Sequence, residues 1–528
     1  MSNTADNSQK AILVNVSSSL ATKFLKITLL VWVNQFLLKR IAPEEYSLLP
    51  LVMSLLIFAD IFRNLFVDGI GRYIVEADAK NDKLGVQTIV SSMWPILLLV
   101  SACFAGLGSL TIVFIDSLLA IEAGYVAQAR IMLGLLVCIF CLEVLLAPFT
   151  VGLYVKSKFT HINALTLFTE LIRITIVICL LFGLGPRVMW LVIGSFSAQI
   201  LNLLVQVFYT RKLLPDVKIV KEYFSLAKAK QLISFGAWSS VGNLSQFSIN
   251  TVPFLLLGHF GSAVQVSIFH LGRLPELNLR NLALAGVQPI QPMLTARFST
   301  DGQDTINELY YRGGRYHLWA TLLFVAPLVV FSKIVATKYA GEGYSQAGLV
   351  MLILFASYPI IWASAMFYRI SHAIGEVSSF FKCEIVDAIL KIAAVSLLVI
   401  VFKMGAVGAA LGISIATILV HIFTIWPQGL KMVSGNWHRF FKETIIPGCL
   451  PFLSAVMLCL LCKLFFHTYS WYLLGGIMGA SVLGYLSILY LYCTDDFDKS
   501  LVQKIVEKAK LTLKRILDRK FKKSSSPV

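Results

Sequence analysis

Fourteen apolar segments, each about 20 residues long or longer, follow one another along the 528-residue chain. The hydrocarbon core of a bilayer is about 30 Å thick, and a helix needs about 20 apolar residues to cross it. Only 14% of the residues are charged, whereas soluble domains carry roughly 25%. We therefore predict an all-α integral membrane protein. Its predicted transmembrane helices lie near residues 14–38, 47–70, 88–115, 127–154, 162–184, 187–209, 232–258, 264–293, 316–339, 346–371, 382–403, 405–427, 444–468 and 470–493.

The basic residues indicate the orientation of these helices. Lysine and arginine collect in cytoplasmic loops of membrane proteins. With the N-terminus inside, 30 of them fall in the cytoplasmic loops and the tail, with Arg369 among them, against eight outside. We therefore expect both termini in the cytoplasm. We expect no cleavable signal peptide before the first helix.

An internal repeat relates the two halves of the chain. Residues 63–70 of the second helix and 280–287 of the eighth share Arg, Asn, Leu and Gly at identical spacing. The offset spans six helices, which predicts a parallel repeat about an axis along the membrane normal. The predicted organisation is an N-terminal lobe (1–210), a cytoplasmic linker (211–231), a C-terminal lobe (232–430), two further helices (431–494) and a basic amphipathic tail (495–528).

Charged side chains inside the predicted helices are the candidates for function. A charge at a helix centre costs about 2.5–3.5 kcal/mol on insertion scales, so such residues normally face protein or a wet cavity. Lys23 and Lys26 lie three residues apart on one face of the first helix. Asn243, Gln246 and Asn250 form a polar face on the seventh. The two faces predict a hydrophilic cavity between the lobes.

Arg273 and Arg280 flank Glu276 on the eighth helix, one turn to either side. They share one acid, which leaves excess positive charge, and a guanidinium fork suits phosphate or pyrophosphate oxygens. Asp60 with Arg63 has ion-pair spacing on the second helix. Asp387 with Lys391 and Glu170 with Arg173 have similar spacing. For these three pairs a structural role and a site role are both open.

The sequence contains no catalytic constellation and no nucleotide-binding motif. The C-x-x-C pairs at 138–141 and 459–462 lie inside apolar helices without further ligands, so we interpret them as packing residues. The chain is therefore predicted to be a secondary transporter without a cofactor or a metal, and not an enzyme.

Four segments resemble bacterial polysaccharide-transport proteins, the Wzx-like oligosaccharide flippases. They are 37–46, 68–73, 232–236 at the entry to the seventh helix, and 405–412 at the entry to the twelfth. The family belongs to the multidrug/oligosaccharidyl-lipid/polysaccharide (MOP) superfamily. The likeness implies two six-helix lobes around a V-shaped, cationic cavity, with two extra C-terminal helices, in the bacterial inner membrane.

The resemblance further implies that the chain flips a polyprenyl-pyrophosphate-linked oligosaccharide by alternating access. Its implied partners are the bilayer, a polysaccharide polymerase and glycosyltransferases, without nucleic acid. Candidate ion-coupling residues, for H⁺ or Na⁺, are Asp60, Glu276 and Asp387. The candidate substrate-binding residues are Lys23, Lys26, Arg63, Arg273, Arg280, Asn243, Gln246 and Asn250.

Two other functions stay open. A cation-coupled drug or metabolite exporter of the same superfamily would favour acids over bases in its cavity. A scaffold or scramblase would depend on no ion gradient and would show no sugar selectivity.

Overall fold

The structure, a computed structural model, describes residue 28 and residues 31–119, 121–156, 158–241, 248–287, 303–374, 377–496 and 498–500. These residues are helical and contain no β-strand. Lys23, Lys26, Asn243, Gln246 and the tail from 501 to 528 lie outside the described residues, as does the side chain of Asp60.

The helices of the first half are α1 (31–38), α2 (Pro43–Leu55), α3 (Ile57–Ala79), α4 (Lys83–Val113), α5 (Ile115–Leu118), α6 (Val126–Leu146), α7 (Gly152–Val155), α8 (Phe159–Gly183) and α9 (Met189–Leu213). Their ends follow local sequence signals. Pro43 begins α2, where its missing N–H removes no helical bond. Asp82 caps α4, because its carboxylate accepts from the backbone N–H of Gly85 at 2.8 Å.

The second half contains α10 (Leu226–Val241), α11 (Val252–Phe260), α12 (Ala263–Val287), α13 (Gln303–Leu322), α14 (Val325–Val330), α15 (Ser332–Ala340), α16 (Gln346–Ala356), α17 (Tyr358–Ala363), α18 (Met366–Ile374), α19 (Val377–Ser396), α20 (Gly405–Val420) and α21 (Trp426–Met432). The second half is followed by α22 (Trp437–Phe440), α23 (Ile446–Phe465) and α24 (Trp471–Ile488). π-Helical turns cover Leu397–Val401, His421–Ile425, Phe441–Ile445 and Leu489–Cys493.

Eight helical stretches among the described residues are long and apolar enough to cross a membrane. They correspond to eight of the predicted segments, and the all-α membrane fold is confirmed. The total of fourteen stays a prediction, because other predicted segments are divided into shorter helices or lie partly outside the described residues. The eight stretches are 83–113, 123–149, 161–183, 189–213, 342–371, 405–432, 437–465 and 471–493.

One hydrogen-bond arrangement occurs in both halves. The buried carboxylate of Glu45, near the start of α2, accepts from the backbone N–H of Val188 at 3.0 Å, just before α9. In the second half, the side-chain oxygen of Gln265 near the start of α12 accepts from the backbone N–H of Ala406 at 2.7 Å, at the start of α20. In each half, the contact joins the second predicted transmembrane segment to the sixth. The same contact in both halves agrees with the internal repeat.

Two sets of contacts join the halves. In the first set, α2 packs against α11 and α12, and the two halves share one apolar core there. In the second set, α3 packs against α10, and Ala229 and Leu232 of α10 enter an apolar core formed mainly by the first half. The α2–α3 pair therefore contacts the second half at both of its ends.

The chain after α24 is fixed to the middle of α13. Asp498 bonds to Arg315 at 2.8 Å, and Asp495 bonds to Arg312 at 3.3 Å. Burial acts to raise the pKa of Asp495, but the backbone N–H of Asp498 and the two guanidinium groups outweigh it and hold that pKa below its usual value. The predicted tail therefore begins as a segment attached to the second half.

Candidate functional site: a charged cavity in the second half

A cavity of about 370 Å³ lies inside the second half. It is lined by side chains of the broken α16–α18 span, of α12, α13, α19 and α20, and of the π-helical turn that follows α20. Because α12 also packs against the first half, the cavity extends to a helix at the junction of the halves. Its lining residues are Ile249, Glu276, Arg280, His317, Leu354, Ser357, Tyr358, Ile361, Trp362, Ser364, Ala365, Tyr368, Arg369, Phe380, Glu384, Asp387, Lys391, Ile413, Thr417, His421 and Ile425.

The broken span α16–α18 forms one wall of this cavity. The helix is interrupted at Ser357 and again at Ser364–Ala365. Pro359 follows the first break, and it cannot donate the backbone hydrogen bond that would continue the helix. The hydroxyl of Ser357 donates to the carbonyl of Leu354 at 2.8 Å. Irregular backbone at membrane depth is tolerated where protein or a polar cavity surrounds it.

Acidic and basic side chains are equally represented in the cavity wall. Three acids, Glu276, Glu384 and Asp387, line it together with three bases, Arg280, Arg369 and Lys391. The Nε of Arg280 lies 3.6 Å from a carboxylate oxygen of Glu276. Lys391 and Asp387 form a direct ion pair in which both side chains are almost completely buried, at 4% and 3% exposure. The cavity can therefore bind a polar group through donors and acceptors of either charge.

Arg273 lies beside the cavity. Its guanidinium donates to the amide oxygen of Asn250, and its Nε lies 3.9 Å from Glu276. The predicted arrangement of Arg273 and Arg280 about one carboxylate is therefore present, and Asn250 holds Arg273 in place. Both ion-pair distances exceed ordinary hydrogen-bond lengths, so Glu276 is a loosely bound counterion for two guanidinium groups.

The predicted residues of the first half lie elsewhere. The Nη1 of Arg63 is 3.8 Å from a carboxylate oxygen of Glu143, and the other oxygen of Glu143 accepts from the amide of Gln199. Glu170 and Arg173 form a part-buried pair on α8, with an Nε–Oε1 distance of 3.1 Å. These two groups do not line the cavity of the second half.

Sequence reasoning missed the aromatic part of this wall. Trp362 stacks against His317, with ring centroids 6.2 Å apart and planes 13° from parallel. Tyr358 meets the edge of Trp362 at 6.1 Å, and Tyr368 and Phe380 pack at 4.9 Å. Ser357-Tyr358-Pro359 inside an otherwise apolar segment is the signal that could have identified the break and its aromatic neighbours.

No cluster of metal-ligating side chains occurs among the described residues. The nine cysteines are all free thiols. Cys141 bonds to the backbone carbonyl of Ser101 at 3.4 Å, which is a packing contact between α6 and α4.

Comparison with solved structures shows the same fold in two kinds of transporter. The lipid II flippase MurJ, in an inward closed conformation, superimposes with a TM-score of 0.67 at 15% identity, over 89% of this chain and 98% of MurJ. An inward-facing multidrug resistance MATE family transporter of the MOP superfamily gives 0.57 at 16% identity, over 80% of this chain and 94% of the transporter. The flippase-type transporter fold predicted from sequence is confirmed.

Sequence comparison gives the family. The uncharacterized membrane protein EpsK of Bacillus subtilis (strain 168) is 21% identical over 461 residues, which are 85% of this chain and 88% of EpsK. The profile of the polysaccharide biosynthesis protein family matches residues 9–295, more than half of the chain. This multi-pass membrane protein therefore belongs to the polysaccharide biosynthesis protein family, as its sequence motifs predicted.

Proposed function

We propose that the protein is a secondary transporter that flips an anionic lipid-linked oligosaccharide from the cytoplasmic to the outer leaflet by alternating access. The observation that carries the proposal is the loosely held arginine pair, Arg273 and Arg280, around Glu276, at the edge of a cavity in a chain of this family. A diphosphate cannot cross hydrocarbon unaided because its charge would lose hydration. Arginine forks supply replacement hydrogen bonds.

In this mechanism, the diphosphate of the substrate displaces Glu276 from the two guanidinium groups. The polyprenyl chain stays in the lipid while the headgroup occupies the protein interior. Release on the outer side then requires that Glu276 regain its arginines or that an ion bind. Glu276 and Asp387, together with Asp60, remain the candidates for H⁺ or Na⁺ coupling, and membrane potential is the other candidate driving force.

The two contact regions between the halves support alternating access. Opening the α2 contacts with α11 and α12 would expose the interior to one side, and opening the α3–α10 contact would expose it to the other. We propose the bacterial inner membrane as the location, with both termini in the cytoplasm. Glycosyltransferases that make the lipid-linked glycan and a polymerase that consumes it are the expected partners.

One observation favours the second candidate, a cation-coupled exporter. Glu276, Glu384 and Asp387 give the cavity as many carboxylates as bases, and carboxylates suit a cationic drug or a coupling ion. The two functions differ in substrate charge. A flippase requires the arginines for its anionic substrate, whereas an exporter of cations would keep its activity without them.

The test is translocation in proteoliposomes. Fluorescent polyprenyl-pyrophosphate oligosaccharide is incorporated into both leaflets, and the fraction that starts in the inner leaflet and becomes accessible to an external lectin is followed. We expect Arg280→Ala and at least one of Lys23→Ala, Lys26→Ala and Arg273→Ala to abolish translocation. Arg130→Ala is the control. Arg130 is exposed, does not line the cavity, and lies 3.4 Å from a carboxylate oxygen of Asp116.

Full translocation by all four variants would remove the cationic site from the mechanism. Wild-type protein that leaves the glycolipid in its original leaflet, but accumulates an organic cation, would replace the flippase function with the exporter function. Wild-type translocation that is equal for every lipid and independent of ion gradients would indicate a scramblase.

A further inference from the structure

We propose that the cavity of the second half holds a sugar ring of the transported glycan, and that the indole N–H of Trp362 donates a hydrogen bond to one of its oxygen atoms. The inference rests on the proposed function. It deepens that function by assigning the diphosphate to the Arg273–Arg280 edge and the first sugar to the aromatic wall.

Trp362 carries a buried hydrogen-bond donor at the wall of the cavity. The residue is only 4% exposed, and within the part of the chain that the structure describes its Nε1 has no hydrogen-bond acceptor. Other tryptophans bond to backbone carbonyls: Trp190 to Gly185 at 2.8 Å and Trp319 to Pro447 at 2.8 Å. Because a buried unsatisfied donor destabilises the fold, the free indole N–H at a cavity wall indicates a ligand with an acceptor oxygen.

The rings around Trp362 hold its indole in place. His317 stacks on one side of the indole, and Tyr358 meets its edge. The hydroxyl of Tyr358 is already used, because it donates to the backbone carbonyl of Glu276 at 2.8 Å. The indole is therefore held by packing, while its nitrogen is left for a ligand.

The chemistry of the wall matches a sugar better than a cation. A pyranose offers hydroxyl or N-acetyl oxygens to a donor and presents apolar C–H faces to aromatic rings, here those of Trp362, Tyr368 and Phe380. Arg369 and Glu384 add a charged donor and a charged acceptor for further hydroxyls. An organic cation would pair with the carboxylates, but it would leave the indole N–H without an acceptor.

The size of the cavity limits the part of the glycan that it can hold. Ligand pockets range from about 300 to 1,000 Å³, and this one, at about 370 Å³, is near the lower limit. It fits one or two sugar units beside the diphosphate rather than a whole oligosaccharide. Selectivity for the first sugar is therefore expected, with tolerance toward the distal ones.

The experiment compares two ligands with purified protein in detergent. One is bare polyprenyl pyrophosphate, and the other is the same lipid carrying a single hexose or N-acetylhexosamine. Trp362→Phe keeps an aromatic ring but removes the N–H. We expect this variant to bind the sugar-bearing lipid about three- to tenfold more weakly than wild type does, with unchanged affinity for the bare lipid.

Trp319→Phe is the matched control, because it makes the same change in volume but breaks an existing bond to Pro447. It should lower the thermal unfolding midpoint more than Trp362→Phe does, and leave the ratio of the two affinities unchanged. A Trp362→Phe variant with the wild-type affinity ratio would overturn the inference. Equal binding of both lipids by wild type would overturn it too, while leaving the proposed function intact. Failure of wild type to bind either lipid would refute the proposed function itself, and the inference with it.

Discussion

The buried ion pair between Asp387 and Lys391 allows a quantitative test of the cavity wall. The two residues lie one turn apart on α19, and their side chains are 3% and 4% exposed. Solvent therefore cannot screen a charge that has lost its partner. Removing one member of such a pair typically costs about 3–5 kcal/mol. We expect Asp387→Asn and Lys391→Met each to lower the free energy of unfolding by this amount.

The double variant should behave differently, because it leaves no isolated charge. Replacing a buried pair by uncharged groups of similar volume is often neutral. Asp387→Asn with Lys391→Met should therefore be more stable than either single variant, with a coupling energy of at least about 2 kcal/mol in a double-mutant cycle. Unfolding in mixed detergent micelles, followed by circular dichroism, measures all four proteins.

Glu443→Gln is the control for this cycle. Glu443 also pairs at i, i+4 spacing, with Arg439, but the two side chains are 40% and 43% exposed. Its loss should cost only about 0.3–0.5 kcal/mol. Single variants within about 1 kcal/mol of wild type, with additive effects, would refute the reasoning. Translocation by the stable double variant decides between the two roles left open from sequence: retained transport means a structural pair, and lost transport means a site role.

Three further predictions concern packing and the attached C-terminal segment. Glu45→Ala removes the acceptor of a backbone N–H and a side-chain amide, so we expect a loss of about 2–3 kcal/mol in unfolding free energy, restored largely by Glu45→Gln. Gly272→Ala places a Cβ 2.6 Å from the carbonyl oxygen of Ala347, which should cost about 1–3 kcal/mol, whereas Gly479→Ala meets open space and should leave the melting temperature unchanged. The lowered pKa of Asp495 stabilises its contacts above the unfolded pKa of about 4, and this contribution is lost as pH falls through the folded value. Hydrogen exchange of residues 494–500, corrected for intrinsic rates, should therefore accelerate only below about pH 4, and acceleration between pH 5 and 7 would contradict this assignment.

Eight of the predicted membrane helices correspond to spans of the structure, because each depends on a local property. The segment predicted at 162–184 corresponds to the helical span 161–183, and that predicted at 470–493 to 471–493. Hydrophobic length determines such a segment without reference to its neighbours. The pairing of Arg273 and Arg280 with Glu276 was predictable for the same reason, because all three residues lie on one helix.

The cavity itself depended on contacts that local reasoning does not reach. Arg369 was assigned to a cytoplasmic loop, since counting of basic residues treats an arginine near the end of an apolar segment as part of the loop. In the structure Arg369 lies on α18, after the second break of its span, and lines the cavity together with Phe380 of α19. Trp362 is an ordinary apolar residue in sequence, and only tertiary packing shows that its indole nitrogen has no acceptor among the described residues.

The contacts of α2 and α3 with the second half have an energetic consequence for turnover. One end of this helix pair shares an extended apolar core with the opposite half, while the other end contributes to a separate core. In the proposed alternating-access cycle, each half-cycle would separate one of these surfaces and hydrate its apolar side chains, at roughly 25 cal/mol for every Å² exposed. The barrier to reorientation should therefore scale with the apolar area of the larger contact. Truncating the side chains of that contact should speed reorientation of the empty carrier before the truncation weakens binding of the glycolipid.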